Sequence, residues 1–326
     1  MEPPIGGEGG IRTPVALAGK AVFKTAAFDR SATSPGPPGR KGRPGDETVH
    51  IAPVNGREGR RTYIRRSTMR VTFLGTGTSQ GVPVIGCTCS VCRSMDPRDT
   101  RLRVSVLVET HGTRILIDAG PDLRQQFLRA GITDVDAVLL THEHMDHISG
   151  MDDLRAVSFA HEPPKAVPIH ADAPTQQAVR RVFSYAFQTR KYPGVPEYDM
   201  RLIDRAPFMV GGVHVIPIEV MHLNMPVLGF RIGGFTYITD AKTISGAEKE
   251  KIKGTDVLVL NALRAKPHYS HLDLTEALAL VAELGPREAC FTHISHQMGL
   301  HAEVQLRLPP HVRLAWDGLQ MELPDP

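Results

Sequence analysis

Thr141-His142-Glu143-His144-Met145-Asp146-His147 decides how the rest of the chain is read. Four of these seven residues, His142, His144, Asp146 and His147, form a metal-ligating pattern. They follow directly on the apolar run Val135-Asp136-Ala137-Val138-Leu139-Leu140, which predicts a buried strand bounded by polar residues. The cluster therefore falls at the carboxyl end of a strand, where the chain turns. His142 and His144 alternate along extended backbone and point the same way. Asp146 and His147 follow as the chain turns and reach a second point nearby. This spacing suits two metal ions about 3.5–4 Å apart, the separation typical of two-metal hydrolases. A polar loop that happens to hold three histidines would explain the composition, but not an H-x-H-x-D-H pattern at a strand-to-turn junction.

That pattern resembles the signature of the metallo-β-lactamase superfamily. The resemblance implies an α/β fold, a four-layer αββα sandwich with a metal site at the sheet edges. It also implies more ligands downstream, against which the rest of the chain is read.

The composition is that of an ordinary globular protein, 41% hydrophobic and 22% charged. No run of 18 apolar residues occurs, so no transmembrane helix and no membrane partner are expected. The N-terminus lacks a charged-then-apolar signal pattern, and a cytoplasmic location is expected. The net charge of +3 conceals an asymmetry. Residues 1–68 hold twelve Lys/Arg and six Asp/Glu, which leaves the remainder with 26 and 29. A mildly acidic body weakens the case for a broad nucleic-acid surface.

Residues 1–68 are rich in Gly, Pro, Arg and Ser and show no sustained period of 2 or 3.6. Such a segment cannot bury enough apolar surface to offset ordering entropy. It is expected to be disordered, or to lie outside the true protein, with the start at Met69. Gly9-Gly10-Ile11-Arg12-Thr13-Pro14 resembles spurious translation across transfer-RNA genes. A basic arm for RNA is the functional alternative. Residues 69–326 are expected to form the hydrolase domain.

Arg70-Val71-Thr72-Phe73-Leu74 predicts a first strand, followed by the loop Gly75-Thr76-Gly77-Thr78-Ser79-Gln80-Gly81. Exposed amides there could take an anion, and a plain turn explains the composition equally well. Next comes Cys87-Thr88-Cys89-Ser90-Val91-Cys92. A disulfide would leave one of these three cysteines over. A three-thiolate metal site needs a fourth ligand, for which a histidine elsewhere is the natural candidate. Reduced cysteines without metal are the plain alternative.

The pairing of Gly77-x-x-Gln80-Gly81-Val82-Pro83 with C-x-C-x2-C resembles a subgroup of the superfamily, the cyclic phosphodiesterases of the carbon–phosphorus lyase pathway. In those enzymes three such cysteines and a late histidine hold a structural zinc. They open 5-phosphoribosyl 1,2-cyclic phosphate with a dinuclear metal centre.

Read with that resemblance, the strand ends fall into order. Ile115-Leu116-Ile117-Asp118 places an acid where the superfamily orients a metal-bound histidine; capping of a helix opened by Pro121-Asp122-Leu123 is the plain reading. The strand from Val213 leads to His222, which stands as the third histidine of the first metal, with Asn224 and Met225 as pocket residues. Phe235 to Asp240 ends on the carboxylate that would bridge both metals. His293 stands as the last ligand of the second metal, and His296 as the fourth ligand of the Cys87/Cys89/Cys92 zinc. Cys290 reads as a core residue. Helices are predicted from Ile148 to Phe159, Pro174 to Phe187 and Thr275 to Leu284. A Pro/Gly-rich loop, Tyr192 to Pro196, is a candidate cover over the site.

The resemblance thus implies His142, His144 and His222 on metal one, Asp146, His147 and His293 on metal two, and Asp240 between them. The ions would be Mn2+ or Zn2+, beside one structural Zn2+. His271 would protonate the leaving oxygen as metal-bound hydroxide attacks phosphorus, with His268 as a weaker partner; helix capping beside Asp273 is the plain reading of His271. The acidic residue that the family carries near Asn261 is absent, which leaves the substrate pocket open. The expected partner is a small-molecule phosphodiester, and a homodimer is compatible with the sequence. The alternatives are a transfer-RNA 3′-processing endonuclease of the same superfamily and a metal-stabilised RNA-binding module without turnover. A β-lactamase fits less well, because no signal pattern is present and Asp240 takes the bridging place.

Overall fold

A strand that is apolar at every position fits only where both of its faces are covered. In Ile115-Leu116-Ile117 the two isoleucines enter one buried cluster and Leu116 another. Val257 and Val259 likewise join the first cluster, while Leu258 and Leu260 join a third. Three cores separated by two sheets make four layers.

The computed structural model describes residues 68–326. The expectations for residues 1–67 lie outside them. The strands are β1 (Thr68–Gly75), β2 (Ser105–Thr110), β3 (Thr113–Ile117), β4 (Ala137–Leu139), β5 (Val167–Ala171), β6 (Tyr198–Leu202), β7 (Phe208–Val210), β8 (Val213–His222), β9 (Met225–Ile232), β10 (Phe235–Tyr237), β11 (Thr243–Ile244), β12 (Val257–Asn261), β13 (Glu288–Thr292), β14 (Val312–Leu314) and β15 (Gln320–Pro324). The first sheet runs β15-β1-β2-β3-β4-β5-β6, and the second β11-β8-β9-β10-β12-β13-β14 with β7 on β8. Helices 123–130, 154–159 and 173–182 supply Leu123, Phe127, Leu154, Val157, Ala178 and Val179 to the outer core of the first sheet. Helix 274–284 covers the second sheet with Ala277, Leu280 and Val281.

Direction matters more than order for the site. β3, β4, β5 and β6 are mutually parallel, and so are β10, β12, β13 and β14. β8 is antiparallel to β9, which is antiparallel to β10, so β8 runs with β10. Within each sheet these strands therefore end at a common edge, the usual place for a site in sheets of this kind. Asp118, Thr141, His222, Asp240, Asn261 and His293 all lie at or just past such ends.

The helix expected from Ile148 to Phe159 is broken into Met145–Ile148, a 3-10 turn at Met151–Asp153, and Leu154–Phe159. The break has a packing cause. The Gly150 amide donates to the Ala119 carbonyl at 2.9 Å, and a Cβ on Gly150 would lie 1.8 Å from the Gly120 carbonyl oxygen. The expected apolar face, Met151, Leu154 and Val157, is buried all the same. The helix expected from Pro174 to Phe187 ends at Val182 and passes into a 3-10 turn.

Gly150→Ala is expected to lower the unfolding free energy by about 3 kcal/mol, because the added methyl group meets backbone that cannot move aside. Urea denaturation of the variant beside the parent measures it, and an unchanged midpoint would show that residues 119–120 and 150 can separate freely.

Candidate metal centre

The apolar strand β4 delivers Thr141 and His142 to the sheet edge, and the short helix Met145–Ile148 turns Asp146 and His147 back over it. Asp118 follows β3 with a φ of 63°, Asp240 follows β10 at 57°, and His293 follows β13 at 54°. Non-glycine residues seldom adopt this left-handed conformation. Three of them at strand ends around one point mark backbone strain gathered at a site.

Asp118 and His147 are both fully buried, with Oδ2 and Nδ1 2.7 Å apart. The carboxylate accepts a proton held on Nδ1, which turns Nε2 towards the centre. Asp118 also accepts from the Thr141 amide at 2.9 Å and the Thr141 hydroxyl. His222 is fixed in the same way, with Nδ1 donating to the Ser270 carbonyl at 2.8 Å. Such partners set the tautomer of a metal-binding histidine. Neither Thr141 nor Ser270 stands out in the sequence: the first works by packing beside the motif, the second through its backbone.

The donor atoms converge. Asp146 Oδ2 lies 3.3 Å from His147 Nε2 and 3.5 Å from His293 Nε2. Asp240 presents Oδ1 to His293 at 3.3 Å and Oδ2 to His147 at 3.4 Å. His142 Nε2 and His144 Nδ1 are 3.0 Å apart, and the His144 and His222 rings are 5.3 Å apart. Asp146, His147 and His293 form one cluster able to hold a cation; His142, His147 and Asp240 form another, and His222, Asp240 and His271 a third. The set expected for metal two is thus brought together as a unit. The set expected for metal one is spread along His142, His144 and His222, and His271 stands among the possible ligands.

A bound cation fits these residues on their own evidence. Asp146 Oδ2, His147 Nε2 and both His293 ring nitrogens are buried with no hydrogen-bond partner. Buried polar atoms are rarely left so, and a site shaped for a cation is one of the few explanations. Burial alone would raise the Asp146 pKa, but the His147 charge outweighs it and holds the carboxyl below its usual range. Burial would lower that of His147, yet Asp146, Asp118 and Asp240 together hold it well above its usual value. Burial, helped by the neighbouring His147 charge, keeps His142 neutral with a free lone pair.

His271 donates from Nε2 to Asp240 Oδ1 at 3.0 Å and accepts at Nδ1 from the Ser270 hydroxyl at 3.0 Å. Its pKa falls to about 4, chiefly through burial and against the pull of Asp240. Asp273, not His271, caps helix 274–284: it accepts from the Glu276 amide while Glu276 reaches back to its own amide. His268 sits one step further out, its Nδ1 3.3 Å from that of His271.

The second donor set is complete. Cys87, Cys89 and Cys92 place their Sγ atoms 3.3, 3.4 and 3.5 Å from His296 Nδ1. A tetrahedral zinc would separate sulfur from nitrogen by about 3.6 Å. The Cys89 thiol is drawn down to about 6, first by the Cys92 amide and then by His296. Cys290, in contrast, is buried in the core against Met321.

Two expectations from the sequence take a plainer form. The amides of Gly77, Thr78, Gly81 and Val82 are bonded to backbone carbonyls, so the loop after β1 is a pinned turn. The cleft beside the centre is walled by Leu223, Asn224, Met225, Pro226 and Tyr269, as expected for 224 and 225, with no residue from 192–196. Asn261 is buried behind the centre and does not line that cleft.

Comparison with known proteins places this geometry. A model of the β-lactamase superfamily domain matches residues 113–294. The solved structure of a diphosphatase from the PhnP family superposes with a TM-score of 0.74 at 40% identity, covering 78% of this chain and 97% of that one. An octanoyltransferase of Porphyromonas gingivalis is 42% identical over 255 residues, 77% of this chain and 51% of that protein, so the chain spans about half its length. A ribonuclease Z of Bradyrhizobium diazoefficiens is 25% identical over 312 residues, 76% of this chain and 97% of that protein.

Two measurements follow from the site. A cation at His147 Nε2 displaces a proton held by the surrounding carboxylates, so affinity for Zn2+ is expected to rise with pH through neutrality. Calorimetry in two buffers of different ionisation enthalpy reads the released proton, and equal heats would contradict it. Cys89→Ser is expected to reduce zinc content by about one ion per chain and to lower the melting temperature; metal analysis showing unchanged zinc would remove the cluster from the list of sites.

Proposed function

The chain belongs to the metallo-β-lactamase superfamily, and from that premise we propose that it is a dinuclear metal-dependent phosphodiesterase acting on a small phosphodiester. The observation that carries the reading is the buried convergence of His147 Nε2 and His293 Nε2 on the two oxygens of Asp240, with Asp146 Oδ2 beside them and none of these three donor atoms hydrogen-bonded. A carboxylate presented edge-on to two histidine groups suits a bridge, since each oxygen can meet a different cation.

His142, His144 and His222 would hold one divalent ion and Asp146, His147 and His293 the other, with Asp240 between them. Such a pair supplies an activated water near neutral pH and offsets charge on the phosphoryl oxygens. The chain's own residues do the rest. Asp118 and Ser270 keep His147 and His222 in the tautomer that faces the centre. Thr141 steadies Asp118 from behind. His271 holds a proton on Nε2 at the edge of the site, beside Asp240 and within the half-buried rim formed by Ser270 and His268. That N–H is placed to hydrogen-bond the oxygen that departs from phosphorus, and the ring would protonate it after taking up a second proton on Nδ1. Cys87, Cys89, Cys92 and His296 would hold a structural zinc outside the reaction.

A cyclic ester such as 5-phosphoribosyl 1,2-cyclic phosphate is the substrate favoured by the cysteine motif and the likeness to the PhnP family. The 25% likeness to ribonuclease Z keeps a transfer-RNA precursor as the second substrate to test.

Phosphorus NMR of the cyclic phosphate with manganese-loaded protein is expected to show ring opening to one product. His271→Ala is expected to retain both ions by metal analysis while losing about 10²–10⁴-fold in turnover. Loss of the metals in that variant would make His271 a ligand. An inert cyclic phosphate, with other phosphodiesters cleaved, would discard the substrate and keep the metal chemistry.

A further inference from the structure

Residues 83–93 carry three of the four cysteines and are held in an unusual way. Among the described residues, their hydrogen bonds stay within the segment and its neighbour Ser94, apart from those that reach His296. The Val84 amide donates to Cys92 Sγ and the Cys92 amide to Cys89 Sγ, each at 3.4 Å. Ile85 is fully exposed, and only Val91 is buried. A segment that buries one apolar side chain cannot offset its ordering entropy by packing. What joins the three sulfurs to His296 is therefore what fixes it.

The same sulfurs are arranged for a second chemistry. The three Sγ atoms and His296 Nδ1 all lie within 4.8 Å of one another, and each of the three cysteines is partly exposed. Cys89 and Cys92 sit in C-x-x-C spacing across one turn, in which the Arg93 amide donates to the Cys89 carbonyl at 3.1 Å. That spacing is the one used by exchangeable dithiols. Cys290 is buried against Met321, so an oxidant in solution meets the cluster first. On the side of the metal centre the chain is held without the cysteines. The Ile294 amide donates to the Thr76 carbonyl and the Ser295 amide to the Leu263 carbonyl, both at 2.9 Å. Opening the cluster therefore leaves the strand end at His293 in place.

We propose that Cys89 and Cys92 form a reversible oxidation site, at which hydrogen peroxide exchanges a bound zinc for a disulfide and frees residues 83–93 from His296. The proposal rests on the zinc reading of the cluster and adds a modification to it. One thiolate attacks a peroxide oxygen; the O–O bond breaks, giving a sulfenic acid and hydroxide. The other thiolate attacks the sulfenic sulfur, forms the S–S bond and expels a second hydroxide. Two protons from solvent turn both hydroxides into water, and two electrons have passed from sulfur to peroxide. Cys87 and His296 alone are too few to complete a tetrahedral zinc site, so the ion leaves.

The test treats the full chain, loaded with zinc and manganese, with hydrogen peroxide. Metal analysis after desalting, thiol counting and peptide mapping read the result. Loss of about one zinc and two thiols per chain is expected, with manganese retained. The map is expected to show a Cys89–Cys92 disulfide, and dithiothreitol with added zinc to restore the starting state. Cys92→His keeps four ligands but removes the second thiolate, and is expected to hold its zinc at the same peroxide dose. Retained zinc in the parent, thiols lost without a disulfide, a disulfide through Cys87 or Cys290, or manganese lost with the zinc overturns the proposal. So does equal zinc release from the variant; if the variant takes up no zinc, the map of the parent decides. A reduced parent that binds no zinc at the cysteines fails the zinc reading instead. The dithiol is then judged by the map alone, where absence of the Cys89–Cys92 disulfide overturns it.

Discussion

The buried contact between Asp118 and His147 sets the conditions that the surrounding structure meets. A carboxylate with no solvent exposure is costly unless it is paired and hydrogen-bonded. Burial raises the Asp118 pKa, and His147 and Thr141 oppose that shift. To reach His147 at all, the chain after β3 must turn sharply and lie flat against helix Met145–Ile148. It does so through the left-handed conformation of Asp118 and through close backbone contact. The Ala119 amide donates to the His147 carbonyl at 2.8 Å, and a Cβ on Gly120 would lie 2.1 Å from the Asp146 carbonyl oxygen. Gly120 and Gly150 are therefore the positions where side chains had to be absent for His147 to be held from behind.

The strand ends were legible in the sequence because each apolar run stops on a residue that chemistry would not place there by chance. Val135 to Leu140 stops before His142, Phe235 to Ile238 before Asp240, and Ala289 to Phe291 before His293. Period and polarity are local properties, and they survive folding. The partition of ligands was less legible. His142 and His144 alternate as extended backbone, but His222 comes from the other sheet, and His271 approaches Asp240 from a loop after β12. Such distances depend on how two sheets face one another, for which no sequence period exists. The broken helix after His147 escaped for a related reason: Gly150 reads as a mild weakness in a helix, and only its contact with Gly120 makes it a stop.

The cysteine cluster is tied to the same centre through the segment from His293 to His296. His296 lies three residues past His293, and the segment between them is stitched to the loop after β1. Ile294 donates to the Thr76 carbonyl at 2.9 Å and accepts from the Thr78 amide at 3.1 Å. Beneath that loop Arg101 is buried, donating to the Thr76 hydroxyl and the Ala315 carbonyl. Burial draws its pKa down only to about 10, so it stays charged, with Asp317 and Asp99 offsetting the cost. The left-handed turn at His293 is thus held at both neighbours, by Thr292 in β13 and by Ile294 in this bridge. A strained residue persists only where its surroundings fix it on each side.

Asn261 fixes the backbone beside Asp240. Its side-chain oxygen accepts from the Ala241 amide at 2.7 Å, and its side-chain nitrogen donates to the Ala241 carbonyl at 2.9 Å. An amide can do both; an ionised carboxylate can only accept and would leave that buried carbonyl unpaired. It would also add a negative charge close behind Asp240, whose own carboxyl is held ionised by His293, His147 and His271 against its burial. Asparagine here closes the turn that gives Asp240 its positive φ while adding no charge. Asparagine and the left-handed Asp240 form one device, in which the amide serves the backbone of the turn.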